Sequence, residues 1–482
     1  MLNIRPIFFA VGLLGALISC AMLVPAVVDL LYGNPDWKAF FVAASFGLAV
    51  NGMVLMSTKG SGAGLGTKQV FLMLTLAWSW LPFLGSLPLM FSEYQLSMTD
   101  AYFEAIRGMT TTGSTILSGL DSAPPGFLLW RAMLQWLGGF GVVVMAVALL
   151  PLLQIGGMQV FRLETGDTNE KILPKATQIS VAITGLYISF TALCAILLIL
   201  AGMSPFDATA HAMAAISTGG YSTHDASVGY FDSGYVDLIL VVFMLIGSFP
   251  FVLYLQVLRG RPMAFWRDEQ VRGFAGVIVF IILAVSLWLV IFKGFTPIEA
   301  VRFGGFNIIS VMTGTGFAST DYGQWGSFSA TLFFLAMFIG GCTGSTSCGI
   351  KIFRFQVLFK TLRAWQDQVI MPNGVFVARY NGRRITSDIQ SSVLSFFSFF
   401  ILCLLVLTFL LTLTGMDWLS ALSGAGTVLA NVGPGLGDTI GPAGNFASLS
   451  DPAKWLLSFG MLLGRLELFT VLVLFTPGFW RV

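Results

Sequence analysis

The fold is decided by the stretch Met109-Thr110-Thr111-Thr112-Gly113-Ser114-Thr115, because the chain repeats a version of it three more times. The further copies lie at residues 216–222, 312–318 and, in a more divergent form, 430–435. Each copy follows a short helix-like run and precedes a long apolar one. Their shared core is a small or β-branched residue followed by glycine, at Thr112-Gly113, Thr218-Gly219, Thr315-Gly316 and Val432-Gly433. Four such units in one chain can close a ring around an axis.

The composition is that of an integral membrane protein. Of the 482 residues, 56% are hydrophobic and 10% are charged, whereas a soluble domain carries roughly 25% charged residues. The mean hydropathy is +0.85. The net charge of +2 gives no indication of a nucleic-acid partner. The N-terminal apolar run is too long for a cleaved signal peptide, so we expect it to be the first membrane span.

Candidate membrane spans follow from the length of the apolar runs, since a helix needs about 20 predominantly apolar residues to cross a bilayer. Ten runs qualify, near residues 5–31, 37–57, 69–92, 128–152, 178–202, 235–258, 273–293, 328–365, 392–415 and 453–476. The first two enclose no copy of the glycine motif. The other eight form four pairs that each enclose one copy.

These internal repeats predict the architecture. We expect an all-α polytopic membrane protein with four parallel repeats around a pseudo-fourfold pore, each built as span, pore helix, filter loop and span. Two extra N-terminal spans occupy residues 1–67, and the repeats occupy residues 68–160, 161–265, 266–375 and 376–482.

The orientation follows from the basic residues, which favour cytoplasmic loops. If both termini are cytoplasmic, most of the 25 Lys and Arg residues lie on the cytoplasmic side and most of the 23 acidic residues do not. All four glycine loops then face the outside. Basic segments at 259–272 and 351–391 form a cytosolic platform. The outer acids, expected to enrich cations at the mouth, include Asp121, Asp225, Asp232, Asp321 and Asp438.

Four glycine loops at membrane depth have the chemistry of a cation filter. Irregular backbone is tolerated there only where it lines a cavity or is buried in protein, and glycine permits the dihedral angles that turn carbonyl groups toward an axis. Such carbonyls can replace the hydration shell of a cation. Short helices predicted over 100–110, 206–217, 299–312 and 418–429 would direct the negative ends of their dipoles to the same point.

A single Thr-Gly pair is more often a turn or helix-packing glycine, but four equivalent copies favour a filter. The fourth copy departs most from the Thr/Ser pattern. The candidate ion-binding residues are Thr111, Thr112, Gly113, Thr218, Gly219, Gly220, Thr315, Gly316, Phe317, Asn431, Val432, Gly433 and Pro434.

A further glycine-rich segment, residues 340–349, interrupts the second span of repeat three. Four glycines and four hydroxyl residues in this stretch would break a helix in mid-membrane. We expect an intramembrane loop beneath the filter, satisfied by cavity water and its own hydroxyl groups. The alternative is a close-packed helix interface of small residues.

Ionisable residues inside the last span, Arg465 and Glu467, are costly there and usually functional. We hypothesise that Arg465 projects under the filter, bonds to the loop and forms a positive barrier to cations. The alternative is a structural pair with an acid on another helix. Arg131, near the outer end of its span, is expected to snorkel. The candidate gate residues are Gly340, Gly341, Thr343, Gly344, Ser345, Thr346, Ser347, Gly349 and Arg465.

Over nearly its whole length the chain resembles the Trk/Ktr/HKT superfamily of potassium transporters. The resemblance rests on the four glycine loops, on Trp136-Leu137-Gly138-Gly139-Phe140-Gly141, on segment 340–349 and on Arg465, which matches a basic position of the family's last span. The two extra spans are most similar to the membrane subunit of bacterial Trk systems.

The resemblance implies potassium uptake across a bacterial inner membrane, with K+ at the filter residues, Rb+ also accepted, and membrane lipid around the protein. Potassium-selective members carry glycine at position 113, whereas some sodium-selecting relatives carry serine. The resemblance further implies a loop 340–349 that obstructs the pore and moves on opening, a homodimer, and a cytosolic ring of RCK-type nucleotide-binding subunits that opens the pore. Symport with H+ or Na+ stays open.

Other function classes find less support in the residues. The chain has neither a P-loop nor a dinucleotide fingerprint, so we expect it to bind no nucleotide itself. An enzyme is not expected, because only His211 and His224 are available for a catalytic cluster. Cys342 and Cys348 have no further Cys or His near them in sequence, which argues against zinc. The alternatives are a sodium-permeable member of the superfamily and a secondary carrier for a different solute.

Overall fold

The computed structural model describes residues 3–60, 65–148, 172–437, 439–442 and 444–481. Within these ranges the secondary structure is helical, apart from two pairs of two-residue strands. The all-α architecture predicted from the repeats is therefore confirmed. Seven described helices are long and apolar enough to cross a membrane, and two bent helix pairs raise the number to nine.

The N-terminal part of the chain holds the two extra spans and the first repeat. Its helices are α1 (Arg5–Ala21), α2 (Leu23–Leu31), α3 (Trp37–Ser57), α4 (Thr67–Phe91), α5 (Met98–Met109) and α6 (Pro125–Ala148). The carboxylate of Asp29 in α2 accepts a hydrogen bond of 2.6 Å from the backbone N–H of Gly126 in the first turn of α6. Because this bond caps the helix, it attaches the extra spans to repeat one.

The second and third repeats follow the same order of elements. Their helices are α7 (Ile172–Leu200), α8 (Pro205–Ile216), α9 (Gly234–Ser248), α10 (Phe251–Leu258), α11 (Met263–Arg267), α12 (Glu269–Lys293), α13 (Pro297–Met312), α14 (Ser327–Ala336) and α15 (Ile352–Ile370). Between α14 and α15, strand β1 (Ile339–Gly340) pairs in parallel with β2 (Ile350–Lys351).

The fourth repeat begins with a small antiparallel hairpin of β3 (Arg379–Tyr380) and β4 (Arg383–Arg384). Its helices are α16 (Ser387–Leu413), α17 (Trp418–Ala430), α18 (Asp451–Arg465), α19 (Phe469–Leu472) and α20 (Pro477–Trp480). Short 3-10 turns lie at Leu120–Ser122, Ser227–Phe231, Tyr322–Trp325 and Val473–Phe475.

The short helix of each repeat starts in the same way. A side-chain oxygen at its N-cap, from Ser97, Ser204, Thr296 or Asp417, accepts a hydrogen bond from a backbone N–H in the first turn. This bond satisfies one of the unpaired donors of a helix start. The predicted bounds of α5, α8, α13 and α17 are confirmed to within two residues.

Three predicted spans are not continuous helices. The axes of α9 and α10 meet at 95°, and α18 meets the following Phe469–Phe475 segment at 107°. The first of these bends lies at Pro250, which has no N–H to continue a helix. Predicted span 328–365 is interrupted between Ala336 and Ile352 by the glycine-rich segment. The end of predicted span 128–152 lies outside the described residues.

The apolar core falls into two clusters that meet at the centre of the molecule. One joins the N-terminal spans to repeats one and four and includes Ile350 of β2 with Phe353 and Val357 at the start of α15, and the other is formed mainly by repeats two and three. The boundary lies at the end of α17, because Leu429 belongs to the first cluster and Ala430 and Val432 belong to the second. Large apolar side chains such as Phe41, Leu283 and Phe409 are exposed on the outer surface, as expected for helices in contact with lipid.

Candidate ion-conducting site

The four glycine loops follow the C-terminal ends of the short helices and lie against one another. They comprise residues 110–114, 217–221, 313–317 and 430–434. A Cβ atom on Gly113 would lie 2.8 Å from the carbonyl oxygen of Thr315. A Cβ on Gly316 would lie 2.8 Å from the Cα of Gly433, and one on Gly433 would lie 3.3 Å from the carbonyl oxygen of Thr112. The loops therefore meet around a common centre, at distances that leave little room for a side chain.

The backbone corrects the register that the sequence predicts for the second loop. In the first loop Thr111 and Gly113 are left-handed, with φ of 52° and 90°. In the second loop the same pair is Thr218 and Gly220, with φ of 51° and 79°. The shared Thr-Gly pattern predicts that Gly219 corresponds to Gly113, and this is wrong by one residue. Two adjacent glycines in this loop offer two matches, and only the backbone distinguishes them.

All thirteen predicted ion-binding residues lie in these loops, and each is buried except Gly316, which is half-buried. The threonine hydroxyls stiffen the loops from within. Those of Thr110 and Thr112 are 2.8 Å apart, and those of Thr313 and Thr315 are 2.7 Å apart. The side-chain amide of Asn431 donates a hydrogen bond of 3.1 Å to the Thr112 hydroxyl, which ties the fourth loop to the first.

Some loop carbonyl groups are left without hydrogen bonds. In the part of the chain that the structure describes, no donor reaches the carbonyl oxygens of Gly113, Gly220 or Gly316. The glutamine side chain of Gln135 supports the second loop, because its amide donates to the carbonyl of Gly219 at 2.6 Å and its oxygen accepts from the Tyr221 N–H at 2.9 Å. Oxygens of this kind are the ligands that a dehydrated monovalent cation requires.

A buried ion pair lies behind the first loop. Arg131 is 1% exposed and its Nε lies 2.9 Å from Oε1 of Glu104 in α5. The same carboxylate accepts a hydrogen bond of 2.8 Å from the Thr115 hydroxyl and one of 3.2 Å from the Ile116 N–H. The predicted snorkelling of Arg131 is therefore wrong, since its acidic partner on a neighbouring helix keeps the charge inside the protein.

Segment 340–349 is non-helical, as predicted, and lies directly beneath the second glycine loop. The backbone N–H groups of Cys342 and Thr346 donate to the carbonyls of Ser248 and Gly247 at 2.9 and 3.0 Å. The hydroxyl of Thr346 lies 3.1 Å from the carbonyl of Ile216, the last residue of α8. The backbone N–H groups of Cys342 and Thr346 therefore donate to neighbouring elements, whereas that of Gly341 donates to a hydroxyl of the segment itself, on Ser347.

The hydroxyl residues of this segment that are predicted to belong to the gate lie inside the protein. Thr343, Ser345, Thr346 and Ser347 are all buried. Its glycines take part in the fold of the segment: a Cβ on Gly341 would lie 2.8 Å from the Cβ of Ser347, and Gly344 and Gly349 have left-handed backbone.

Arg465 joins three parts of the site. It is 2% exposed, and its Nη1 lies 2.8 Å from the Thr111 hydroxyl and 2.6 Å from Sγ of Cys348. Its Nη2 donates to the carbonyl of Gly138 at 3.1 Å. Arg465 therefore contacts the first glycine loop, the second span of repeat one and the intramembrane segment. Among the described residues no carboxylate pairs with it, so the alternative of a structural ion pair is not observed.

Known proteins share this architecture over the whole chain. The family model TrkH, described as a cation transport protein, matches residues 37–481. The chain belongs to the TrkH family. It is 45% identical over 479 residues to the Trk system potassium uptake protein TrkI of Halomonas elongata, covering 99% of this chain and 97% of that protein. It is 38% identical over 485 residues to the Trk system potassium uptake protein TrkH of Escherichia coli K12, with 100% of both covered.

The fold of this TrkH-family protein also matches a solved structure. The crystal structure of the potassium transporter TrkH from Vibrio parahaemolyticus superposes with a TM-score of 0.93 at 38% identity, over 100% of both chains. The resemblance drawn from the motifs is confirmed. The family is one of cation transporters and not of enzymes, as predicted, and the apolar helices make the chain a multi-pass membrane protein.

A second buried charge cluster in this TrkH-family protein was not predicted. Glu467 contacts Arg354 and lies 3.3 Å from Nζ of Lys351, and all three are buried. The sequence places both basic residues on a cytosolic platform, but they lie inside the protein next to segment 340–349. The one sign of this cluster in the sequence was Glu467, an acidic residue inside an apolar span. Its partners could not be identified, because they come from a different repeat.

The outer acids are mostly engaged in hydrogen bonds. Asp121 lies 2.6 Å from Nδ1 of His224, and Asp225 accepts from the N–H groups of Gly119 and Leu120 at 2.8 and 3.1 Å. Asp232 pairs with Arg302 at 3.2 Å. Asp321 accepts a hydrogen bond from the Gly323 N–H, and Asp438 lies outside the described residues. Attraction of cations by these acids stays a prediction.

Clusters of metal-ligating side chains are not found in the described part of this TrkH-family protein, where no group of three or more His, Cys, Asp or Glu is suited to a metal ion. The cysteines are unpaired, and Cys194, Cys342 and Cys348 are buried. The groups that lie among the glycines of the loops are backbone carbonyl oxygens, those of Gly219, Thr315 and Thr112. Such uncharged oxygens suit a monovalent cation better than a transition metal, which favours imidazole and thiolate ligands.

Proposed function

We propose that this chain takes up potassium through a pore on the axis between its four glycine loops, and that the loops form the filter. The observation that carries the proposal is the meeting of four loops from four repeats, with the Gly113, Gly220 and Gly316 carbonyls left without donors among the described residues. The relatives named above are potassium uptake proteins. Rb+, similar in size to K+, would pass through the same filter.

The filter would act by replacing water around the ion. Carbonyl oxygens compensate for the lost hydration shell, and the C-terminal ends of α5, α8, α13 and α17 add a negative potential at the same point. The hydroxyl pairs Thr110–Thr112 and Thr313–Thr315 hold the loops in place. Because one glycine per loop approaches the centre, the selective stretch is short.

The gate in this proposal is segment 340–349 together with Arg465. Thr346 attaches the segment beneath the second loop by its hydrogen bond to the carbonyl of Ile216. Arg465 contacts both Cys348 in the segment and Thr111 in the first loop. A guanidinium below a cation filter repels permeant ions. Opening requires that the segment move away from the axis and that its contacts with Arg465 break.

The partner in this proposal is a cytosolic ring of RCK-type nucleotide-binding subunits. Large apolar side chains of α15, among them Phe359, Leu362 and Trp365, are exposed. Helix α15 is not among the helices that are apolar enough to cross a membrane. A displacement of α15 by a bound subunit would move segment 340–349 directly, because α15 follows β2 at the end of this segment. We further propose that the protein is a homodimer in a bacterial inner membrane with both termini in the cytoplasm.

Replacement of Gly113 by serine tests the filter. A Cβ at this position would collide with the carbonyl of Gly219, and the backbone is left-handed with φ of 90°, so the loops must move apart. We expect the ratio of Na+ to Rb+ flux into proteoliposomes to rise about tenfold, equivalent to ~1.4 kcal/mol of lost discrimination.

The matched control for this substitution is Gly276→Ser. Gly276 lies in α12 and has no neighbouring atom within 4 Å of an added Cβ, so the flux ratio should stay at the value of the unmodified chain. An unaltered ratio in Gly113→Ser would contradict the filter assignment. High Na+ flux in the unmodified chain would favour the sodium-permeable alternative, and absent flux of both ions would favour a carrier for a different solute.

A further inference from the structure

Arg107 is a buried cation in the last turn of α5 that the proposed filter chemistry does not require. It is 0% exposed, and its guanidinium carbon lies 3.9 Å from the ring centroid of Phe446 and 5.1 Å from that of Phe103. Its Nη2 donates a hydrogen bond of 3.2 Å to the carbonyl oxygen of Gly433 in the fourth glycine loop. Its Nε and Nη1 have no hydrogen-bond partner among the described residues.

The charge at this position breaks the fourfold pattern of the repeats. In each loop, the residue before the central glycine donates its backbone N–H to the carbonyl five positions earlier. Those four acceptor positions are equivalent, and they are occupied by Arg107, Ala214, Ser310 and Thr427. A cation therefore stands in repeat one where the other three repeats have small neutral residues.

Arg107 also makes the fourth carbonyl of the ring different from the other three. Gly433 occupies the position of Gly113, Gly220 and Gly316, whose carbonyls accept no hydrogen bond within the described chain. Its own carbonyl oxygen accepts from Arg107, from the hydroxyl of Ser114 and, at 3.1 Å, from the hydroxyl of Thr427. A carbonyl oxygen has two lone pairs, so these donors occupy it, and Arg107 is the only charged donor among them.

Among the described residues, no acid lies close enough to Arg107 to form an ion pair with it. Glu104 lies one turn earlier on the same helix, but it pairs with Arg131 at 2.9 Å. None of the ion pairs formed by the described residues includes Arg107. In a poorly solvated interior such a charge repels a nearby cation much more strongly than it would in water.

We propose that Arg107 is a positioning residue that withdraws the Gly433 carbonyl from the ion and weakens cation binding on the fourth side of the filter. This inference rests on the proposed filter function. The ion then meets three available carbonyls and one that is engaged by a charged donor. Conduction needs binding weak enough for the ion to leave, so Arg107 favours rapid release over tight binding.

The test is Rb+ uptake into proteoliposomes as a function of Rb+ concentration, with Arg107→Met and Arg107→Gln as neutral variants and Arg107→Lys as the variant that keeps the charge. We expect the half-saturating Rb+ concentration to fall on the order of tenfold in the neutral variants, with a lower maximal rate because ions leave more slowly. Arg107→Lys should stay within about twofold of the unmodified chain. Ser114→Ala, which removes a neutral donor from the same carbonyl, should change the half-saturating concentration much less.

A purely structural role for Arg107 would give lower flux at an unchanged half-saturating concentration, and that result would overturn the proposal. Gly113→Ser, measured in parallel, separates the two claims. If it changes the Na+ to Rb+ ratio while the Arg107 variants keep their half-saturation, the filter stands and the role of Arg107 fails. If neither changes, the filter function fails. Should Arg107→Met not fold, Arg107→Gln is measured by thermal unfolding in detergent against Rb+ concentration, where stabilisation must begin at lower Rb+ than in the unmodified chain.

Discussion

Buried arginines surround the pore region, and they differ in whether an acid lies beside them. Arg131 pairs with Glu104, and Arg354 pairs with Glu467. Among the described residues, the hydrogen-bond partners of Arg465 are neutral and include Thr111 and Cys348. A buried charge without a counter-ion is costly, so its presence below the glycine loops indicates a function rather than a contribution to stability.

Replacement of Arg465 by alanine tests that function. Loss of the charge and of the contacts to segment 340–349 should raise Rb+ flux through the closed state by roughly tenfold, because the electrostatic barrier beneath the filter is removed. The measurement is Rb+ uptake into proteoliposomes without any cytosolic partner. Arg465→Lys is the control that keeps the charge, and its flux should stay near that of the unmodified chain. Equal flux in Arg465→Ala and the unmodified chain would remove the barrier role.

At the scale of elements, two breaks in the spans lie next to each other. Segment 340–349 interrupts the span formed by α14 and α15, and the 107° bend interrupts the last span after α18. Glu467 and Leu468 at this bend have left-handed backbone with φ of 57° and 56°. Such backbone is costly for residues other than glycine. The contact of Glu467 with Arg354 holds the bend against the start of α15.

Replacement of Thr346 by valine tests whether segment 340–349 obstructs the pore. Valine keeps the shape of threonine but removes the hydroxyl bonds to Ile216 and Gly247, at 3.1 and 2.9 Å. The segment should then leave the axis more often, and Rb+ flux in proteoliposomes should rise several-fold. Ser345→Ala is the matched control, because the one hydrogen bond that the Ser345 hydroxyl donates within the described chain goes to Cys342 of the same segment. A rise of the same size in both variants would show that the anchor to α8 is not what holds the segment.

The whole molecule is organised by repetition, and repetition is also what made much of it predictable. The four glycine motifs and the apolar runs fix the number and order of repeats, and the N-cap residues fix the starts of α5, α8, α13 and α17. Each of these signals is local in sequence. The register of Gly220 could not be predicted, because it depends on how the backbone packs around the centre. The bend at Pro250 does have a local signal, the proline itself, but its angle of 95° does not follow from the sequence.

Packing between residues that are far apart in sequence also explains why some site residues were not predicted. Arg107 lies in a predicted pore helix, but its partner Gly433 comes from the last repeat. Arg131 reads as an arginine near a membrane surface until Glu104 is placed beside it. Lys351 lies in a basic stretch that suggests a solvated loop, yet it is buried. Contacts between residues that are far apart in sequence leave no periodic pattern in it.

The orientation of the whole chain is testable by labelling. Single cysteines are introduced at Lys59 and Tyr230, both exposed in the structure, and intact cells are treated with a membrane-impermeant maleimide. With both termini cytoplasmic, Tyr230→Cys should react and Lys59→Cys should react only after lysis. The unmodified chain controls for the native cysteines. Reaction of Lys59→Cys from outside would reverse the assignment.

The central claim is that the four glycine loops bind a monovalent cation on a common axis. The most direct measurement is anomalous X-ray scattering from crystals of the protein grown in Rb+. The account predicts an anomalous peak at the centre of the ring formed by residues 113, 220, 316 and 433, and its weakening in Gly113→Ser. Well-ordered loops with no peak at that centre, while Rb+ is taken up by the same preparation, would contradict it.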